Sequence, residues 1–195
     1  NSYKLKDLNA EVAYGKTSQA TSDSLKIIIK EGLISNLKLL ESSINIKFED
    51  NKKKIKSSIH TSGDLSTKDV KKIFSLLSIK NKKLSNISLQ SNLITNFEFD
   101  VDKKFRIKNT TYHIKGDISK MQFKINKEDF IKGFLPHYNP NIIIKNANFD
   151  FSSIKEKEKF RLDGDIKFSK DFEKFKYYHL FSKKNKKYNI KISSS

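Results

Sequence analysis

The sequence predicts a mainly β protein: a long antiparallel meander forming a curved, groove-like sheet, with one or two short helices. Three observations predict it. Residues 84–125 contain no Pro, a single Gly and a sustained alternation of polarity. There Ile87, Leu89, Leu93, Thr95, Phe97, Phe99 and Val101 fall on odd positions, with Ser88, Gln90, Asn92, Asn96, Glu98 and Asp100 between them, and only Ile94 breaks the order. Successive strand side chains point to opposite sides of a sheet, so a period of two gives one buried face and one wet face. The apolar residues are β-branched or aromatic far more often than alanine, with 15 Phe and no Trp, which suits a half-buried sheet better than packed helices. Short polar clusters such as Asp102-Lys103-Lys104 separate the alternating runs, as hairpins require.

Taken in order, Leu8, Ala10, Val12 and Tyr14 alternate as a first strand that ends at Gly15, and residues 16–24 are polar turn or loop. Leu25, Ile27 and Ile29 form a second strand, broken by Gly32; residues 33–40 suit a strand or a short helix. Ile44, Ile46 and Phe48 alternate, residues 49–54 turn, and residues 55–61 return as the antiparallel partner. Residues 66–79 are the clearest helix: Ser66 or Thr67 caps it, Asp69 lies in its first turn, and Val70, Ile73, Phe74 and Leu77 follow i, i+3, i+4, i+7 spacing. After residues 84–125, a second short helix is expected over 127–134, ended by Gly133 and a turn at Pro136 and Pro140. Further strands are expected over 142–151, 159–168 and 188–192, with a helix over 169–181.

A length of 195 residues suffices for one domain with a sizeable core or for a slice of something longer. The chain starts at Asn1 and stops in strand-like sequence, so it is expected to be a piece of a longer protein. Charged residues make up 32% and the hydrophobic class 36%, a poor ratio for a compact globule. The net charge of +18 is carried almost wholly by Lys, with Arg only at Arg106 and Arg161. Nucleic-acid readers lean on Arg for bidentate contacts, so nucleic acid is disfavoured as a partner; from charge alone an anionic lipid surface suits about as well. There is no Cys, which excludes disulfides and thiolate metal sites, and no apolar run approaches the length of a membrane span.

An internal repeat relates residues of about 55–100 to those of about 155–195. Gly63-Asp64-Leu65 with Thr67-Lys68-Asp69-Val70 resembles Gly164-Asp165-Ile166 with Ser169-Lys170-Asp171-Phe172. A run of Asn and Lys, at residues 80–83 and 183–187, then leads each copy into a strand. A shorter echo pairs Ile107-Lys108-Asn109 with Ile144-Lys145-Asn146, and Gly116-Asp117 is a third Gly-Asp pair. Asp after Gly reads as a strand-end turn residue, hence as a repeated structural corner.

Catalytic signatures are lacking. His60, His113, His137 and His179 are widely separated and lack ligand spacing, and no nucleophile elbow or Gly-rich phosphate loop is present. Neither catalysis nor a cofactor is expected. Glu156 and Glu158 alternate with Lys155, Lys157 and Lys159 as a charged hairpin tip. Phe172, Phe175, Tyr177, Tyr178 and Phe181, interleaved with Lys, suit a stacking platform for single strands less well than an amphipathic helix against the sheet.

The pattern of Ile-Lys-Asn leading into an aromatic and apolar strand that ends at Gly-Asp, followed by a Lys-Asp-apolar helix, is carried by residues 107–118, 144–151 with 164–166, and 63–77. It resembles the AsmA-like envelope proteins, most of all the YhdP- and TamB-type bridge-like lipid-transfer proteins. The resemblance implies a protein of the bacterial periplasm, anchored to the inner membrane through a segment outside this chain. Its long curved sheet would conduct phospholipid between inner and outer membranes along an apolar groove, in outer-membrane biogenesis. Phospholipid acyl chains are then the expected partners. The residues expected to line the groove are Ile87, Leu89, Leu93, Phe97, Phe99, Ile107, Ile114, Phe149, Phe151, Leu162 and Ile166. Two other readings compete: a structural or adhesive β-repeat protein whose sheets cover each other, and a basic nucleic-acid-binding module.

Overall fold

The computed structural model describes residues 5–16, 23–34, 36–76, 84–125 and 139–194. They form β1 (Leu5–Gly15), β2 (Asp23–Ile34), β3 (Leu37–Leu39), β4 (Ser42–Glu49), β5 (Lys52–Leu65), α1 (Thr67–Leu76), β6 (Leu84–Asp102), β7 (Ile107–Ile125), β8 (Asn141–Ile154), β9 (Lys157–Lys167), β10 (Glu173–Ser182) and β11 (Lys187–Ser194). All eleven strands belong to one antiparallel sheet laid out in chain order. β3 and β4 share one position between β2 and β5, as a single strand broken at Leu40-Glu41. Ser42 stitches the break: its hydroxyl donates to the Leu40 carbonyl at 2.7 Å and accepts the His60 amide at 2.9 Å.

Pairing register shows why the sheet is two-faced. Ile27 lies between Val12 and Ile44, Ile55 between Ile46 and Phe99, and Ile114 between Thr95 and Phe151. Further on, Leu162 lies between Phe149 and Tyr177, and Tyr177 faces Ile192. One apolar face therefore runs from β1 to β11, backed by a face of Lys, Asn, Ser, Asp and Glu. The alternation slips by one residue at several points, and each slip is absorbed by a register shift. In β7 the apolar positions change from Ile107 to Tyr112, Ile114 and Ile118, then to Met121, Phe123 and Ile125, with shifts opposite Glu98/Asp100 and Gln90/Ser91. In β8 they change from Ile142 and Ile144 to Ala147, Phe149 and Phe151, with a shift between Lys145 and Asn148. An extra residue in one strand bends it and increases its twist while keeping its oily side chains on one side.

No second sheet covers this face among the described residues. Every substantial strand–strand contact joins hydrogen-bonded neighbours, and β1 and β11 do not meet, so the sheet is open. Among the described residues α1 is the one helix, and it touches the sheet at β5 and β6, with Val70 buried. The core is accordingly small: Ile118, Ile142, Ile144, Ala147, Leu162 and Phe175, all on the apolar face toward the end of the sheet where α1 sits. A compact monomer of 22.7 kDa exposes about 9,500 Å², whereas this chain exposes 13794 Å².

Several expectations change. Residues 169–181 are not helical: a bend over 168–171 leads into β10, paired along both edges. Phe175, Tyr177, His179 and Phe181 alternate with Lys174, Lys176, Tyr178 and Leu180, and that period of two prevailed over the helical spacing. The two copies of the sequence repeat therefore differ, with α1 in the first and β10 in the second. Gly116-Asp117 and Gly164-Asp165 are not strand-end corners but lie within β7 and β9, whereas Gly63-Asp64 falls at the end of β5, one residue before Leu65. Within the ambiguous stretch at 33–40, Leu33 and Ile34 end β2 and Leu37–Leu39 form β3; the first strand starts at Leu5, and α1 is described from Thr67 to Leu76. The helix expected over 127–134 lies outside the described residues, as does His137.

Candidate functional site

The apolar face holds an aromatic belt. From β7 to β11, ring centroids follow at 5.4 Å (Tyr112–Phe151), 6.3 Å (Phe151–Phe160), 5.5 Å (Phe160–Tyr177), 6.4 Å (Tyr177–His179) and 5.3 Å (His179–Tyr188). Phe149 meets Phe160 edge-on at 5.5 Å, and Phe181 stacks on Tyr188 at 4.3 Å. On β6, Phe97 pairs with Tyr112 across the ladder and stacks with Phe99 at 6.0 Å. Such ring pairs contribute beyond their buried area, so side chains of six adjacent strands support one another without a covering layer.

Two glycines make room for the belt. Gly116 lies between Leu93 and Phe149, and a Cβ there would fall 2.1 Å from the Asn92 carbonyl oxygen at φ +146°. Gly164 lies opposite Phe175, and its Cβ would fall 2.6 Å from that of Ala147. A strand glycine marks such a close approach.

Burial is graded along this face. Ile118 is 2% exposed near the α1 end, Phe97, Tyr112, Phe151 and Phe160 are half-buried in the middle, and Ile107 is 65% exposed at the far end. Two polar atoms, Ser57 Oγ and His179 Nε2, are buried without a hydrogen-bond partner among the described residues.

The opposite face is held by ion pairs and amides. Lys54 and Lys56 each reach Glu98 at 3.0 Å and hold its carboxyl below the usual range. Asp100 accepts Asn109 Nδ2 at 2.7 Å and Lys52 Nζ at 3.1 Å; the Asn109 bond is the chief cause of its lowered pKa. Asp165 repeats the device: Asn146 Nδ2 donates at 3.0 Å, Lys174 lies at 3.5 Å, and the pKa is again lowered, chiefly by Asn146. Both Asn residues adopt left-handed backbone at the register shifts, with φ 54° and 49°. The Ile-Lys-Asn echo in the sequence is thus a bulge signature. His60 meets Asn92 at 2.6 Å and His113 meets Asp150 at 3.1 Å, both across the ladder.

The eleven residues expected to line a groove all fall on the apolar face. Leu89, Phe149, Leu162 and Ile166 belong to or pack on the core, Phe97, Phe99, Ile114 and Phe151 form its middle, and Leu93 lies between Thr61 and Gly116. Ile87 falls in the shift between Ser85 and Ser88, and Ile107 marks the exposed end. Sequence reasoning missed Tyr112, Phe160, Tyr177, His179, Phe181 and Tyr188 as belt members. The signal for Tyr177, His179 and Phe181 was present in the alternation of residues 173–182, which the helical reading obscured; Tyr112, Phe160 and Tyr188 lie in stretches read as strand. Among the described residues no helix is long and apolar enough to cross a membrane, and no three His, Asp or Glu side chains gather as metal ligands.

Comparison with protein-family models, with curated proteins and with solved structures returns no match.

Proposed function

We propose that the apolar face binds phospholipid acyl chains. On this reading the chain is a segment of a bridge-like lipid-transfer protein of the AsmA-like kind, acting in the bacterial periplasm and anchored to the inner membrane through a segment outside this chain. One observation carries the reading: a predominantly apolar face running across the sheet from β1 to β11 that no protein layer covers among the described residues. Water against that face is unfavourable by roughly 25 cal/mol per Å², and contiguous exposed apolar surface marks a site for a ligand, a partner or a membrane. Acyl chains supply the missing contact at about 0.8 kcal/mol per buried methylene. Because the face is continuous, a chain can slide along it, and no single specific pocket is required. The grading from the buried α1 end to the exposed far end gives lipid a closed and an open side.

The test is lipid retained on purification, read by native mass spectrometry. Phe97→Asp and Phe149→Asp should each lower phospholipid loading several-fold, while Lys115→Ser on the polar face leaves it unchanged. Equal effects on both faces, or a lipid-free protein whose apolar face is closed by a second copy, count against the proposal.

A further inference from the structure

The turns joining β4 to β5, β6 to β7, β8 to β9 and β10 to β11 all lie at one end of the sheet, away from α1. Register fixes this: Lys52 pairs with Asp102, Lys157 pairs with Ser182, and the Lys183 amide donates to the Glu156 carbonyl at 2.7 Å. Charge is concentrated there. Residues 49–54, 102–108, 155–159 and 183–187 contain fourteen Lys and Arg against five Asp and Glu. Part of the acid is already engaged: Asp102 by Arg106 at 2.8 Å and Lys108 at 3.1 Å, Glu158 by Lys183 at 2.9 Å. At the described turns of the other end, Lys68 and Lys170 are offset by Asp69 and Asp171.

The same rim exposes apolar side chains. Phe105, at the tip of the β6–β7 hairpin, is 81% exposed and held at φ 58°, a conformation that a bulky residue seldom adopts. Asp102 fixes that turn by accepting the Lys104 amide at 2.9 Å and the Arg106 amide at 3.0 Å, and its pKa lies well below the usual range chiefly through the latter bond. Lys53 Nζ lies between the rings of Phe48 (5.6 Å) and Phe105 (5.9 Å), and Lys53 pairs with Val101, so the exposed ring stands at the mouth of the apolar face. This hairpin reaches about four residues, ~13 Å, beyond the β8–β9 turn. Ile107 is exposed at the base of this hairpin, and Tyr188 is exposed further along the same rim, on β11.

We infer that this rim docks on an anionic bilayer: the lysines meet lipid phosphates while Phe105 enters the headgroup region and sets the mouth of the apolar face against the membrane. An amphipathic surface of Lys around exposed aromatic and aliphatic side chains has the chemistry of interfacial binding, in which charge attraction and apolar burial add. A single-stranded nucleic acid would meet the charge and stack a base on Phe105, but it would leave the aliphatic Ile107 in water. The inference rests on the rim's own residues, so it and acyl-chain binding by the sheet can fail separately.

Flotation with vesicles decides it. The protein should bind phosphatidylglycerol–phosphatidylcholine vesicles, bind poorly to phosphatidylcholine alone, and dissociate as salt rises. Phe105→Ser should weaken binding roughly tenfold, the factor expected from one Phe leaving an apolar contact. Lys103→Ser combined with Lys104→Ser and Lys184→Ser should abolish the preference for the anionic lipid, and Lys115→Ser should bind as the unaltered protein does. Binding indifferent to headgroup and salt overturns the inference, and the unaltered protein alone suffices for that reading. So does tighter binding to a single-stranded oligonucleotide than to vesicles. Native mass spectra of the same samples separate the two proposals: retained acyl loading with lost vesicle binding removes the rim alone.

Discussion

Gly116 carries one of the tightest constraints in the sheet. With φ +146° and the Asn92 carbonyl oxygen 2.1 Å from an added Cβ, Gly116→Ala must displace backbone of the neighbouring strand. The expected loss is about 2–4 kcal/mol of unfolding free energy, measured by urea titration. At the bulges, Asn109→Ala removes both a residue tolerant of left-handed backbone and the donor to the nearly buried Asp100, for an expected loss of about 1 kcal/mol. The carboxylates set a pH dependence whose sign follows from their shifts. Glu98, Asp100 and Asp165 all have folded-state pKa values below their ordinary 4.5, 3.8 and 3.8. A depressed carboxylate stabilises the fold above its unfolded pKa and loses that contribution as pH falls through its folded value. Thermal stability should therefore hold from neutrality to about pH 5 and decline below about pH 4, and Asp100→Asn should flatten that decline.

At the scale of elements, α1 shows a local code that worked. The Ser66 hydroxyl accepts the Asp69 amide at 3.3 Å and the Asp69 carboxylate accepts the Ser66 amide at 3.1 Å, a reciprocal cap at the spacing read from sequence. Ser66→Ala should lower helix stability by about 1 kcal/mol, seen as faster amide exchange in the first turn. β10 shows where the code was ambiguous. Phe175 takes part in a helical spacing with Phe172 and in a strand alternation with Tyr177, His179 and Phe181, and only the two flanking strands decide between them. Two of the Gly-Asp pairs misled for a related reason: a glycine chosen for close strand approach has the same letter as one chosen for a turn. Parity slips such as Ile107 to Tyr112 were visible in the sequence, but which partner strand accommodates the extra residue is a long-range property. The edge strands should be the weakest part of the sheet. β1 and β11 are exposed throughout and paired on one side only, so their amides should exchange well before those of β6, β7 and β8.

For the whole molecule, class and two-sidedness were legible because a period of two writes the face of every residue into the chain. Openness was not, since alternation is equally compatible with a sandwich. It follows from the absence, among the described residues, of substantial strand contacts other than between ladder neighbours, and from the large exposed surface. Solution scattering should accordingly give a radius of gyration above the ~16 Å of a compact chain this long. The central claim is that acyl chains take the place of the missing layer. Photocrosslinking with a phospholipid carrying a diazirine on its acyl chain, mapped by peptide mass spectrometry, tests that most directly. Crosslinks concentrated on Phe97, Tyr112, Phe149, Phe160 and Tyr177 are the predicted result; crosslinks shared evenly with the Lys-bearing face, or none on the belt, would contradict it.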